Sequence, residues 1–438
     1  MNDRSKAFAV LRILSREIVP TAADSIRRNV GSIVMVASLV CPALGPAADD
    51  VLIRDGFALG ETQVVTEMRE ELSPPAIEFN TEGALHAAWF ERRQGTSSLV
   101  VSRIEKGPAS ASVRANPLDM PPGALHQAPG LAIGRQGRVY ATWTTPKGDH
   151  GSFAGDLMLA RSTDGGTTFE SPIVVNDDAQ LIGHSFETIA AGPGDNVYVG
   201  WLDDRHKNKS GAGVLFARSS DAGKTIEANV TVDGMACPCC RPASAIGPDG
   251  DIWLSWRKTF EGNIRDIVLA RAQNGTLAFP PPVLVHEDGW VFSACPHRGP
   301  SLGFDKSGRL YVAWYTEGTD ETPRLMFATS DDEGKTFSAP ILLHTAENSL
   351  PDQLRMAVHP NGMVVAVWEE ITGVRKRVVT RISTDRGKTF GKVQAVSGQA
   401  KAQNPTAAIH ENGTVAIGWN EHEWPHNRVV VRWGRFGR

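Results

Sequence analysis

Short runs in which apolar and polar residues alternate recur along the chain, each introduced by a glycine or aspartate turn. The clearest are Arg138-Val-Tyr-Ala-Thr-Trp143, Asn196-Val-Tyr-Val-Gly-Trp201 and Arg309-Leu-Tyr-Val-Ala-Trp314. A period of two with β-branched and aromatic residues predicts half-buried or buried strands. The runs end in tryptophans at 89, 143, 201, 256, 314, 368 and 419, spaced 51 to 58 residues apart. Six residues before each stands Gly83, Gly137, Asp195, Gly250, Gly308, Gly362 or Gly413. A short apolar stretch such as Pro242–Ile246 precedes each turn. A third strand (Asp156–Arg161, Arg324–Thr329) and a fourth (Pro172–Val175) come after the tryptophan strand. No stretch beyond the first 48 residues carries a helical period.

Four short strands per unit, repeated seven times, predict an all-β, seven-bladed β-propeller with four-stranded blades. The seventh unit ends after three strands. The predicted fourth is the N-terminal segment Glu61–Thr66, whose pairing would close the ring and remove two exposed sheet edges.

Between the third and fourth strands lies Ser-x-Asp-x-Gly-x-Thr-Phe, at Ser162–Phe169, Ser330–Phe337 and Ser383–Phe390. Ser219–Ile226 is a variant, and Asn274–Phe279 a decayed copy. The aspartate can accept N–H bonds within its own turn, the glycine supplies positive φ, and the aromatic plugs between sheets. The motif resembles the Asp-box (BNR) repeat of the sialidase superfamily, over a span from about residue 60 to the end. The resemblance implies a sialidase-like propeller whose Asp boxes are structural turns on the outer, lower rim. Sialidases themselves have six blades, so six is the alternative architecture.

Composition adds little to the fold and more to the setting. Hydrophobic content of 41% with Gly 43 and Pro 27 suits a large, turn-rich β domain. The first 48 residues carry a net +3, leaving −7 for the remainder, and no basic patch points to nucleic acid. Arg27 and Arg28 precede an apolar run from Val30 to Leu44, and Gly45 and Ala47 offer a cleavage site before Asp49. Residues 1–48 therefore read as an export leader and 49–438 as one propeller domain, periplasmic or secreted, without a membrane span once the leader is removed. Cys41 would leave with the leader.

The remaining cysteines lie in two related elements, Cys237-Pro-Cys-Cys-Arg241 and Cys295-Pro-His-Arg298. Eleven residues before the turn residue stand His126, His184, Cys239 and His297 in four consecutive units. In a propeller this position leads into the innermost strand, so the four side chains are expected at the mouth of the central channel. Cys237, Cys240 and Cys295 flank them. Imidazole with thiolate is a donor set for a transition metal, copper ahead of zinc in an exported protein. Arg241 and Arg298 beside them favour an anionic small molecule, a glycan, or an anionic group on another exported protein. Disulfides stapling blades four and five, a thiol–disulfide role, and histidines that merely hydrate the channel are the competing readings.

A hydrolase is the other class. Sialidases hold the substrate carboxylate with three arginines and use a Tyr–Glu pair with an Asp acid/base. Arg241, Arg298 and Arg355 lie near the first strands of units four to six, at unequal offsets from their turns. The family's Phe-Arg-Ile-Pro element is absent: the first unit has Ser73-Pro-Pro-Ala-Ile77, and the four tyrosines, at 140, 198, 311 and 315, avoid the late units. These departures point away from true sialidase chemistry and leave an exo-glycosidase or carbohydrate-binding propeller with structural disulfides as the alternative. Two residues past the tryptophan, Glu91, Asp203, Glu370 and Glu421 (Lys258 in the fourth unit) are expected at the upper face, where paired carboxylates serve glycoside hydrolysis. Solvated loop carboxylates are the plain reading. Trp201–His206 and Glu421–His426 are the densest polar clusters among these loops.

Overall fold

The computed structural model describes residues 52–54 and 57–436, apart from 108–110, 124, 149–153, 207–210, 346 and 348. The proposed leader with Cys41 lies outside the described residues, as does the side chain of His206.

Seven antiparallel sheets are arranged as a seven-bladed propeller; six run outward strand by strand in chain order, and the closing sheet takes its outer two strands from the N-terminal segment. The innermost strands are Ala76–Phe79, Gly130–Ile133, His184–Ala191, Ala243–Ile246, Ser301–Phe304, Leu350–Val358 and Lys401–Ile409. Each touches the next, and the last touches the first, so they form a closed ring around the channel. The six-bladed alternative is excluded. Helix is limited to three short 3-10 turns among the described residues, at Arg135–Gly137, Asp204–His206 and Glu261–Asn263.

The ring closes where the sequence placed the closure, over a longer segment than expected. Strand Phe57–Met68, not just 61–66, pairs with the last strand, His426–Phe436, in a register running from Phe57 opposite Phe436 to Met68 opposite Asn427. Leu52–Arg54 folds back on it as a fifth strand.

The repeated tryptophans are all fully buried. Each fills the space between its own sheet and a neighbouring one: Trp143 packs with Phe90 and Val101, and Trp256 with Val214 and Phe216. A buried indole still needs an acceptor for its N–H. Trp89, Trp201 and Trp419 use the carboxylate two residues on, at 3.4, 2.9 and 3.3 Å. Trp256 uses Asp233, Trp314 uses Asp288, and Trp143 uses the Met120 carbonyl.

The Ser-x-Asp-x-Gly turns make the bonds their composition predicts. Asp164 accepts the Thr167 and Thr168 N–H groups at 3.0 and 2.9 Å and the Thr168 hydroxyl at 2.7 Å. Asp332 does the same with Thr336. The turn glycine of Ser383–Phe390, Gly387, has φ +77, and a Cβ there would sit 2.7 Å from the Phe327 ring. These bonds, the threonine hydroxyls first, hold Asp164 and Asp332 at about 2, below the ordinary carboxyl value of 3.8. A depressed folded value adds stability above the unfolded pKa, and that stability is lost as pH falls from about 4 toward about 2. Asp332→Asn is therefore expected to lower the thermal midpoint at neutral pH and to flatten the acid limb of a midpoint-versus-pH curve. An acid limb of unchanged slope would refute this.

Candidate functional site

After the outer strand of the third blade, Val230–Ala236, the chain turns through Cys237–Arg241 into the inner strand of the fourth. The Cys237 N–H donates to the Arg257 carbonyl at 2.8 Å, which pins this turn to the tryptophan strand of its own blade. Three sulfurs are thereby gathered: Cys237 Sγ lies 3.1 Å from Cys240 Sγ and 3.9 Å from Cys239 Sγ, and all three fall within 4.8 Å of one another. They are buried at 0, 1 and 4% exposure for Cys237, Cys240 and Cys239, in the apolar seam with Phe186, Leu202, Phe216 and Trp256. Arg265 Nη1 donates to Cys237 Sγ at 3.1 Å, its other nitrogens held by Asn263 Oδ1.

Electrostatically the trio is asymmetric. Hydrogen bonding with Cys239 and Cys240, helped by the charges of Arg257 and Arg265, pushes the Cys237 thiol far below its ordinary range. Cys239 is pushed up because it donates to Cys237, and Cys240 chiefly by burial. The Arg265 donor at Cys237 and the nearby Arg257 charge favour a thiolate at that sulfur.

Cys239 also lines a cavity of 380 Å³ at the channel mouth, together with His126, His297, Glu187, Arg241 and Arg355. Arg241 is fixed by two backbone acceptors, the carbonyls of Glu187 and Ala128, both at 2.7 Å. Burial and the charge of Arg241 pull Arg355 down to about 10. Burial raises Glu187, with Arg241 opposing it, and burial followed by the His297 charge lowers His126. His297 sits at φ +55, its ring 5.9 Å from that of Phe186.

The sequence-predicted set is thus only partly assembled. His126, Cys239 and His297 share the cavity, and Cys237, Cys239 and Cys240 share a cluster, but neither histidine joins the group of three sulfurs. His184 is elsewhere. It is fully buried between blades two and three, with Nδ1 2.7 Å from the Gly155 carbonyl and Nε2 2.9 Å from Asp178 and 3.6 Å from Asp203. Arg205 ties Asp177, Asp178 and Asp203 into that network. Cys295 is exposed and outside the trio, and all four described cysteines are free thiols.

Among the arginines, Arg241 and Arg355 meet at the cavity. Arg298 turns to Asp352 at 2.9 Å and covers the Tyr315 ring at 4.0 Å. The upper-face acids do not line the cavity. Glu91 pairs with Arg93, Asp203 with Arg205, Glu370 with Arg377 and Glu421 with Arg428. Lys258 pairs with Asp233, the acceptor of Trp256. Glu91, Asp203 and Glu421 therefore satisfy indoles and arginines, whereas Glu370 pairs with Arg377 and the Trp368 indole N–H has no partner among the described residues.

Glu187 and Arg265 escaped the sequence reading. Glu187 had a signal: its register position is proline in five units, at Pro75, Pro129, Pro242, Pro300 and Pro405. Arg265 had none, since only the fold brings it to Cys237.

Among the described residues no helix is long and apolar enough to cross a membrane. No family model and no curated protein matches the chain. Among solved structures it is similar to a protein of unknown function from Dyadobacter fermentans DSM 18053, at a TM-score of 0.52 and 16% identity, covering 87% of this chain and 100% of that one. The Hadza microbial sialidase Hz136 aligns at a TM-score of 0.46 and 14% identity over 81% of this chain and 73% of that one. An alpha-L-arabinanase of Penicillium chrysogenum aligns at 0.48 and 14% over 70% and 92%. At such identities the likeness concerns the propeller fold alone.

Proposed function

We propose that this propeller binds a soft transition metal, Cu(I) ahead of Zn(II), through Cys237, Cys239 and Cys240, and that it works outside the cytoplasm. The observation that carries the reading is the gathering of three sulfurs within 4.8 Å beside two buried arginines. A metal about 2.3 Å from each of three thiolates spaces the sulfurs about 4 Å apart. The 3.9 Å separation of Cys237 and Cys239 fits this, and Cys240 has to move outward by under about 1 Å. Zinc prefers a fourth ligand, and among the described residues no further His, Cys, Asp or Glu joins the three sulfurs. Three thiolates with Cu(I) leave two negative charges, which Arg257 and Arg265 match. Thiolates suit Cu(I) and zinc alike, so ligand number and charge are what favour Cu(I) here. Export is supported by the leader pattern at residues 27–47. A partner that supplies or receives the ion would be another exported protein.

The test is anaerobic titration of the purified, reduced chain with Cu(I) against a chromogenic chelator. One equivalent held per chain, weakening as pH falls because ligands must be deprotonated, is expected. Retention of zinc alone, or of no metal, overturns the reading. The second reading, a glycan-binding or glycan-cleaving propeller, rests on the polar 380 Å³ cavity with Arg241, Arg355 and Glu187 in its wall. Turnover of a fluorogenic sialoside, lost on Arg355→Ala, would favour it.

A further inference from the structure

We propose that the same three cysteines carry out thiol–disulfide exchange with low-molecular-weight disulfides that enter the central cavity, a chemistry that rests on their placement and not on a bound metal. Two of the thiols are sealed in the seam between blades, and only Cys239 reaches the cavity wall. The closest pair is a different one, Cys237 and Cys240, at 3.1 Å in a Cys-x-x-Cys spacing. The thiol that meets a substrate and the pair that best takes a bridge are therefore separated, and Cys237, 3.9 Å from Cys239, links them.

The chemistry takes that order. Cys239 passes its proton to the Cys237 thiolate as its sulfur attacks one sulfur of a disulfide RSSR; the S–S bond breaks, and RS⁻ leaves, taking that proton from Cys237, with Cys239 held as Cys239–S–S–R. Cys237 attacks Cys239 Sγ, expelling the second RS⁻ and forming a Cys237–Cys239 bridge. Cys240 then attacks Cys237 Sγ and frees Cys239, which returns to the cavity wall as a thiol. The first RS⁻ takes the Cys239 proton by way of Cys237, the Cys240 proton passes to Cys239, and the second RS⁻ takes a proton from solvent. The sum is RSSR plus one cysteine thiolate, one cysteine thiol and a solvent proton giving two RSH and a Cys237–Cys240 disulfide: the cluster loses two electrons and the small disulfide gains them. Two of the three proposed metal ligands are consumed, so the exchange also expels a bound ion.

The experiment uses the full chain with Cys41→Ser and Cys295→Ser, reduced, freed of metal with chelator, and mixed with one equivalent of 2,2′-dithiodipyridine. Release of two pyridine-2-thiones per chain is expected, with peptide maps then showing a Cys237–Cys240 bridge and an alkylated Cys239. Cys239→Ser, with an unchanged circular dichroism spectrum, should slow the release at least about 10-fold, because the remaining thiols are shielded. A single thione with a lasting mixed disulfide, a final bridge that includes Cys239, or an unchanged rate in Cys239→Ser would overturn the proposal. Cu(I) binding without exchange removes this inference and leaves the metal reading standing. Exchange without Cu(I) binding does the reverse.

Discussion

Cys237→Ser is expected to weaken Cu(I) binding by at least about 100-fold, more than the roughly 10–100-fold that loss of an outer-sphere partner costs. Cys237 is the centre of the trio: the other two sulfurs lie 3.1 and 3.9 Å from it, and Arg265 donates to it at 3.1 Å. Serine keeps the volume and supplies a poor ligand for a soft ion. His126→Ala and His297→Ala separate this site from the mixed set that the sequence suggested. Both line the cavity and neither belongs to the group of sulfurs, so both should leave the affinity unchanged. Competition titrations with a Cu(I) chelator read all three variants. A loss in either histidine variant comparable to that of Cys237→Ser would restore the mixed Cys/His site and refute a site of sulfur alone.

The scaffold was legible in the sequence because it is written locally. The tryptophans recur at a fixed distance from a turn, and the Ser-x-Asp-x-Gly turns close on themselves within a few residues, so neither needs information from another blade. The cysteines of the trio are near neighbours in sequence and were visible there, but the expected set joined Cys239 to three histidines and left Cys237 and Cys240 as flanking residues. Convergence of one register position from four blades was not legible. His126, Cys239 and His297 precede short inner strands, whereas His184 is the first residue of an eight-residue one and pairs with Asp203. A register shift between Ser185 and Thr188, with Phe186 at φ +57, re-aims the strand, so that Phe186 and Glu187 reach the cavity and His184 does not. A bulge of this kind changes which side chains face a site without altering the spacing that a sequence displays. The acidic residues two past four of the tryptophans illustrate a different limit. Their spacing is plain in the sequence, but the demand that Glu91, Asp203 and Glu421 meet, an indole N–H inside a dry seam, becomes visible only once the seam is built.

Arg257→Met should cost about 3–5 kcal/mol of stability, far above the roughly 0–1 kcal/mol typical of exposed ion pairs. The side chain is completely buried. Its guanidinium donates to the Arg265 carbonyl at 2.7 Å, the Arg298 carbonyl at 3.0 and 3.1 Å and the Tyr315 carbonyl at 2.6 Å, and lies 4.7 Å from the centre of the Trp290 ring. One residue thus holds the end of the tryptophan strand of the fourth blade to the segment leading into its third strand and to the fifth blade. Methionine fills a similar volume, so the loss comes from carbonyls left without donors inside the protein. Urea unfolding is the measurement, with a lower midpoint and an unchanged slope expected. The variant also removes half of the positive charge that balances the thiolates, so Cu(I) affinity should fall even in the fraction that stays folded. A midpoint within experimental error of the parent would show that these carbonyls find water, and that the seam beside the three sulfurs is wetter than its burial implies.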